Sequence, residues 1–598
     1  MYTKRRLIPL VLAGYAAVAV LIVMPTLRHH RLLGDPASEV YVHIWQHDWI
    51  AKAMAGKAHW LSNEMINFPA GGKLFPIDIA NSMMYLLLRC CLSLNGAYNA
   101  LIILQLALAG TAAWMLARDL TGCGWCSLPA GLVYGFNPYV LAYPVSSGVG
   151  ETLNLAWLPL LLLFVLKAFR THSWPVAAAA GGMLFMTYFT CPYHGQAALV
   201  LLTLLAAGYL LLVRRPDEDL LFRKPSAGIQ KKWTIRLARC ALVFCGTAGI
   251  LLSPYYLILT STLEARNSML PSDLLEVRKE IDFMAKNFHP SVPSRYTTFI
   301  GEYLAIGKDR LVVVNEVTRF YRCNYLGLSV LALAITAMVV ERRRLSWLFA
   351  GVAAACLLLA AGPFLPLSGR VHLPGPLSPL YLVFVHGLPL FSRMLEPFRL
   401  IQPALLLLGV LAGRGCQLVV SGFKREGRRV AAGVLCLLVV IDYLFLSPLP
   451  YPLPGCDPCV PPVYDAAAVI PKHKALLELP VGIKGGLLRN RERFYYQLWH
   501  GHPILEVIHG HGNWYLGSSG LLRVLNAAEW GFRPGDAGSF RGDIARMTEA
   551  GIGGIVIDKS LYRNDYFNTV RVLLDSICGS PVYDDGRYLL YVLGDCAG

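Results

Sequence analysis

The residues best placed to do chemistry gather just after the first apolar run. The stretch LLGDPASEVYVHIWQHDWIAKAMAGKAHWLSNEMINFPAGGKLFPIDIA holds Asp35, Glu39, Asp48, Glu64 and Asp78, with Trp45, Trp49 and Trp60 between them. A carboxylate held at a membrane surface can take the proton of a hydroxyl or hold a cation beside a phosphate. Asp35 is the candidate for that role. A plainer reading stands beside it: Asp and Ser ahead of a helical pattern serve as N-caps, and tryptophans suit an interfacial belt. Far downstream, Arg393 and Arg399 flank Pro397 in FSRMLEPFRL. Arginine can grip a phosphate bidentately, and the alternative is that both side chains simply reach the interface. Arg393, Arg399 and Glu39 form the expected substrate-binding set.

These residues must be positioned by membrane helices. Of 598 residues, 55% are hydrophobic and 15% charged, and mean hydropathy is +0.49. Soluble domains carry about 25% charged residues, so an ordinary cytosolic enzyme is excluded. Eleven spans are expected, at about 7–25, 97–117, 126–142, 152–168, 175–190, 195–213, 240–260, 323–340, 346–362, 397–413 and 430–447. The first follows Lys4, Arg5 and Arg6 but lacks a small-residue cleavage site, so it reads as a span rather than a signal peptide. The positive-inside rule puts the N-terminus in the cytoplasm. The N-terminal tail and the loops this places inside hold 22 Lys and Arg against six Asp and Glu, nearly all of the net charge of +17. The surplus is therefore an orientation signal, not a nucleic-acid footprint. The run 77–94 is interrupted by Asn81, Ser82 and Arg89, and parity of the basic loops makes it an interfacial helix rather than a span.

The expected fold is thus a multi-pass α-helical membrane protein with a small α/β C-terminal outer domain. Residues 1–447 form the transmembrane domain, with outer loops 26–94 and 261–322, the second read as a lid carrying Arg295, Tyr296, Tyr303, Lys308 and Arg310. Residues 448–465 are a Pro-rich linker, and 466–598 an outer domain with strands in KALLELPV, HPILEVI and GGIVIDKS. DIARMTEA and YFNTVRVLLDSI read as its helices, and YDDGRYLLYVL as a terminal hairpin. In an oxidising compartment Cys456 with Cys459, and Cys578 with Cys596, are expected to form disulfides rather than metal sites. His500, His502, His509 and His511 are split by glycines, which favours turns over a metal site.

The chain resembles the GT-C superfamily of membrane glycosyltransferases, which includes protein O-mannosyltransferases, oligosaccharyltransferases and aminoarabinose transferases. The likeness lies in a first helix leading into GDPASEVYVHIW, in the helix pair within YNALIILQLALAGTAAWMLARDLTGCGWCSLPAGLVYGFNPYVLA, and in WLPLLLL, LPLFSRMLEPFRL, LLELPVG, YYQLWHGHPILEVIHG and GIGGIVIDKSLY. It is similar above all to a bacterial group with about eleven helices and a C-terminal periplasmic domain. The resemblance implies an inner-membrane enzyme of inverting type that moves a sugar from a polyprenyl-phosphate donor to an envelope glycan, lipid or protein. It implies Asp35 as the base or metal-site carboxylate, and Glu151, the one acid of YPVSSGVGETLN, as the second acid. No cofactor is fixed by the resemblance, and a divalent cation at these acids is left open. The family's double-acid signature is absent, because Pro36 follows Asp35. A translocase of lipid-linked glycans and a non-catalytic assembly factor are the competing expectations.

Overall fold

The computed structural model describes residues 7–28, 31–74, 78–212, 230–268, 298–313, 319–341, 343–366, 372–374, 376–388, 391, 396–424, 427–480, 491–506, 519–521, 525, 540–562 and 564–593. The apolar runs fold as helices because hydrocarbon leaves no other partner for their backbone polar groups. They are α1 (Leu7–Leu27), α4 (Leu94–Thr121), α5 (Leu128–Gly135), α6 (Trp157–Thr171), α7 (Trp174–Thr190), α8 (Pro192–Leu212), α9 (Gln230–Ser268), α10 (Leu328–Glu341), α11 (Arg344–Ala360), α13 (Ile401–Ser421) and α14 (Gly427–Ile441). Each expected span has its helix. Among the described residues, seven helical stretches are long and apolar enough to cross a membrane, and the protein is a multi-pass α-helical membrane protein. Helix α13 is the hub: α4, α5, α10 and α11 all pack on it, and it is buried along most of its length.

Three further helices lie outside the spans: α2 (Val40–Met54), α3 (Ile79–Arg89) and α12 (Ser378–Gly387). Helix α3 has 11 residues, about 16 Å at 1.5 Å per residue, half of what a span needs. It is not among the stretches long and apolar enough to cross.

The C-terminal part holds β3 (Ala475–Leu479), β4 (Ile552–Asp558), β5 (Tyr583–Asp584) and β6 (Tyr588–Val592), with α15 (Glu492–His500), α16 (Arg541–Glu549) and α17 (Asn564–Cys578). The sheet order is β5-β6-β4-β3, with β4 parallel to β3 and antiparallel to β6. Asp585-Gly586 makes the terminal turn, and Gly586 adopts φ +83°. HPILEVI contributes only a bridge, Leu476 to Ile504, among the described residues, because its chain is drawn away to pair with the first loop: Ile504 N–H donates to Met65 O at 2.8 Å and Phe68 N–H to Ile504 O at 3.1 Å.

Two expectations are corrected here. The Pro-rich segment is no free spacer: β1 (Leu32–Leu33) pairs with β2 (Gly455–Cys456), and Thr26 Oγ1 donates to Leu453 O at 2.6 Å. Cys456 and Cys459 are both free, since the β1 pairing buries Cys456 while Cys459 points to solvent. The expected Cys578–Cys596 pair involves Cys596, which lies outside the described residues. Among the described residues the disulfide is Cys123–Cys126, which closes the turn between α4 and α5.

Candidate functional site

The loop that carries Asp35 is fixed by close backbone contact. Gly34 adopts φ +118° and Gly148 φ +60°, conformations open to glycine at no steric cost. A Cβ on Gly148 would stand 2.8 Å from Val40 N and 3.0 Å from Val40 Cα, so the start of α2 lies directly on the turn after residues 141–146. Asp35 N–H donates to Ser146 O at 2.8 Å, Glu39 N–H to Ser147 O at 3.2 Å, and Ser147 Oγ accepts from Tyr321 N–H at 2.8 Å. Three segments distant in sequence are thereby pinned at one end of the bundle.

Asp35 is buried. Its Oδ1 accepts from Ala37 N–H at 2.9 Å and its Oδ2 from the Tyr321 hydroxyl at 2.5 Å, with Arg319 Nη1 3.8 Å away. Asp35 caps only this local turn; the residue before α2 is Glu39, which makes no side-chain cap. The tryptophans also depart from the belt reading. Trp45 and Trp49 are buried, and Trp45 donates to Gln497 Oε1 at 2.6 Å and meets Phe494 edge-on at 5.6 Å. They form the seat on which α15 rests.

Glu39, His43 and Glu151 place one ligand atom each within 4.8 Å of one another. His43 Nε2 is 3.0 Å from Glu151 Oε2 and 3.7 Å from Glu39 Oε2. Two carboxylates and an imidazole suit a divalent cation. The same geometry is satisfied by an imidazolium. Burial works against charge on His43, but the contact with Glu151 and the charges of Glu151 and Asp78 prevail and raise its pKa above the ordinary 6.5. Behind it, Asn81 Nδ2 donates to Asp78 Oδ2 at 2.9 Å, and Asn81 Oδ1 accepts from Gln105 at 2.5 Å and from Asn154 at 3.2 Å. Burial holds the Asp78 carboxyl well above its usual range, and one of its oxygens has no partner.

The raised His43 pKa sets a stability prediction. A base whose folded pKa lies above its unfolded value contributes its full stabilisation below about pH 6.5 and loses it as pH rises through the folded value. His43→Gln should flatten that decline, giving a melting temperature in detergent that falls less between pH 6.5 and 8.5 than in the wild type. Parallel curves for the two proteins would refute a charged His43.

Arg399 sits in a helical turn, Pro397–Leu400, that feeds α13. It is buried, 2.5 Å from Glu396 Oε2 and 2.5 Å from the Tyr143 hydroxyl, and its guanidinium lies 3.9 Å from the centre of the Tyr193 ring. It also acts through space on Glu151 and His194. This is no snorkelling residue. Arg393 lies outside the described residues, as do Arg295 and Tyr296. Lys308 is structural: its ammonium donates to the carbonyls of Leu444, Ser447 and Leu449. Asp442 accepts from Tyr325 and Ser329 and is fully engaged. His500 and His502 stack at 5.6 Å, and among the described residues neither belongs to a group that could hold a metal; His509 and His511 lie outside the described residues.

The sequence reading named Asp35, Glu39, Glu151 and Arg399, which the fold gathers at one end of the bundle. It missed His43, Tyr321, Arg319 and Arg491. His43 was the findable one, four residues after Glu39 on the same face of α2.

No protein-family model matches the chain, and no curated protein does. Among solved structures it is similar to the oligosaccharyltransferase of Archaeoglobus fulgidus in complex with zinc and sulfate, at 11% identity and TM-score 0.42 over 97% of this chain and 72% of that one. It is similar also to ArnT from Cupriavidus metallidurans in the apo state, at 13% identity and TM-score 0.43 over 97% of each chain.

Proposed function

We propose that this protein is a membrane glycosyltransferase that moves a sugar from a polyprenyl-phosphate donor to an envelope acceptor on the outer face. The observation that carries the reading is convergence: a buried carboxylate, Asp35, and the acid-imidazole set Glu39, His43 and Glu151 sit on one pinned loop system, with the buried Arg399 beside them. In such a transfer Asp35 takes the proton of the acceptor hydroxyl as its oxygen bonds to the anomeric carbon. The bond from that carbon to the phosphate oxygen breaks, and polyprenyl phosphate leaves with the electron pair. A single attack of this kind inverts the anomeric centre. Tyr321 and Arg319 orient Asp35. A divalent cation held by Glu39, His43 and Glu151 would supply positive charge opposite the departing phosphate. The GT-C resemblance of GDPASEVYVHIW supports this reading, and so does the positive-inside distribution of the basic loops, which favours this end of the bundle facing outward.

The test is the purified full chain in liposomes given a panel of polyprenyl-phosphate sugars labelled in the sugar. Label should leave the lipid phase with time, faster with an envelope extract as acceptor and slower after chelation of divalent ions. Retention of all label on the lipid, together with its movement between leaflets, would instead establish a translocase.

A further inference from the structure

Arg491 enters the site from the C-terminal part of the chain, in the turn immediately before α15. It is only 7% exposed, and its Nη1 stands 2.8 Å from Glu39 Oε1. Among the described residues the contact is one of charge alone: neither Nε nor Nη1 of Arg491 makes a hydrogen bond. A buried guanidinium with open N–H groups is costly and calls for an anion with several acceptor oxygens. Its surroundings say where that anion lies. The guanidinium sits 5.6 Å from the centre of the Phe320 ring, and Phe320 is 6.1 Å from Tyr143, which bonds Arg399. The residues on either side of Phe320, Arg319 and Tyr321, are those that hold Asp35. Arg491 and Arg399 thus stand at opposite ends of one aromatic pair, beside the candidate base; Arg399 bonds the Tyr143 hydroxyl and Glu396 and leaves one nitrogen open, whereas among the described residues Arg491 leaves two.

We propose that Arg491 is a phosphate-binding residue of the donor site, delivered by the C-terminal domain and held in waiting by Glu39. This rests on the donor reading above and adds to it the group that meets the phosphate. When the sugar departs, the phosphate changes from a diester to a monoester and gains negative charge. A guanidinium bonded to it then binds the product side more strongly than the ground state. Arginine suits the task because its fork can meet two phosphate oxygens at once. Helix α15 fixes its height through the Trp45–Gln497 bond and the Tyr41–Tyr495 ring contact at 5.3 Å.

The test is native mass spectrometry of the purified full chain in detergent, free of divalent ions, with a polyprenyl phosphate, the matching polyprenol and inorganic phosphate. The wild type should hold the lipid phosphate at least tenfold more tightly than the alcohol, and equimolar inorganic phosphate should not displace it. Arg491→Gln should erase that preference while leaving polyprenol affinity unchanged, and Arg491→Lys should restore part of it. Glu39→Gln should strengthen the preference severalfold, because it removes the competing anion. A mere latch between domains predicts the opposite pattern, with Arg491→Gln and Glu39→Gln weakening binding alike, and that result would overturn the proposal. So would a preference that survives in Arg491→Gln. Displacement by inorganic phosphate would overturn the lipid-linked assignment. A wild type with no phosphate preference would refute the donor reading itself.

Discussion

Replacing Asp35 by Asn is expected to reduce sugar transfer by roughly 10²–10⁴-fold, the range over which a positioned general base contributes. The amide matches the carboxylate in size. It keeps an oxygen for Ala37 N–H and leaves the backbone bond to Ser146 untouched, so folding should survive. What disappears is the proton acceptor. Tyr321→Phe removes one hydrogen bond to a charged group, worth ~1.5 kcal/mol at the lower end, and should cost roughly tenfold. Initial rates of label release, with melting temperatures measured on the same preparations, check both. An Asp35→Asn enzyme that turns over normally would remove Asp35 from the chemistry.

The second large effect belongs to the C-terminal domain. Arg493 Nη1 pairs with Glu506 and donates also to the backbone oxygen of Glu478, while Tyr464 donates to Glu478 Oε1. All are buried in the domain that contains β3. Burial and the nearby Glu506 already push the Glu478 carboxyl up to about 8 against the pull of Arg493. Arg493→Ala removes the cation that pairs with both acids, and stranding a buried charge in this way costs ~3–5 kcal/mol. The sign with pH is fixed. A carboxyl whose folded pKa is raised binds more protons folded than unfolded, so stability is greatest below the ordinary Glu value and declines as pH rises through the folded one. The variant should therefore be rescued near pH 4.5 and fail near pH 8. Amide exchange of β3 and β4, followed by mass spectrometry in the full chain, reads this directly. A loss independent of pH would point to packing rather than charge.

How much of this was legible follows from what each feature depends on. The helices were, because a span is declared by its own twenty residues, and so was the break in the apolar run of α3 at Asn81, Ser82 and Arg89. The local carboxylates Asp35 and Glu39 could be singled out for the same reason. The contacts that turn them into a site could not. Glu151 meets His43 across more than one hundred residues, and Arg491 meets Glu39 across more than four hundred. No periodicity carries that information. Trp45 and Trp49 misled for a related reason: an interfacial tryptophan and one covered by another domain have the same local surroundings in sequence, and only the arrival of α15 distinguishes them.

The pairing of β1 with β2 bears on when this protein becomes competent. Gly34, the residue before Asp35, donates its N–H to Pro454 O at 3.0 Å, and Pro454 leaves the ribosome more than four hundred positions later. At ~5–20 residues per second the interval is roughly 20–80 s. Throughout it the candidate base is already outside the ribosome but lacks the backbone that seats it, and Arg491 has yet to be made. A nascent chain that engages a lipid donor early would hold it without the means to react. Competence would then arrive late and all at once, with the synthesis of the last quarter of the chain.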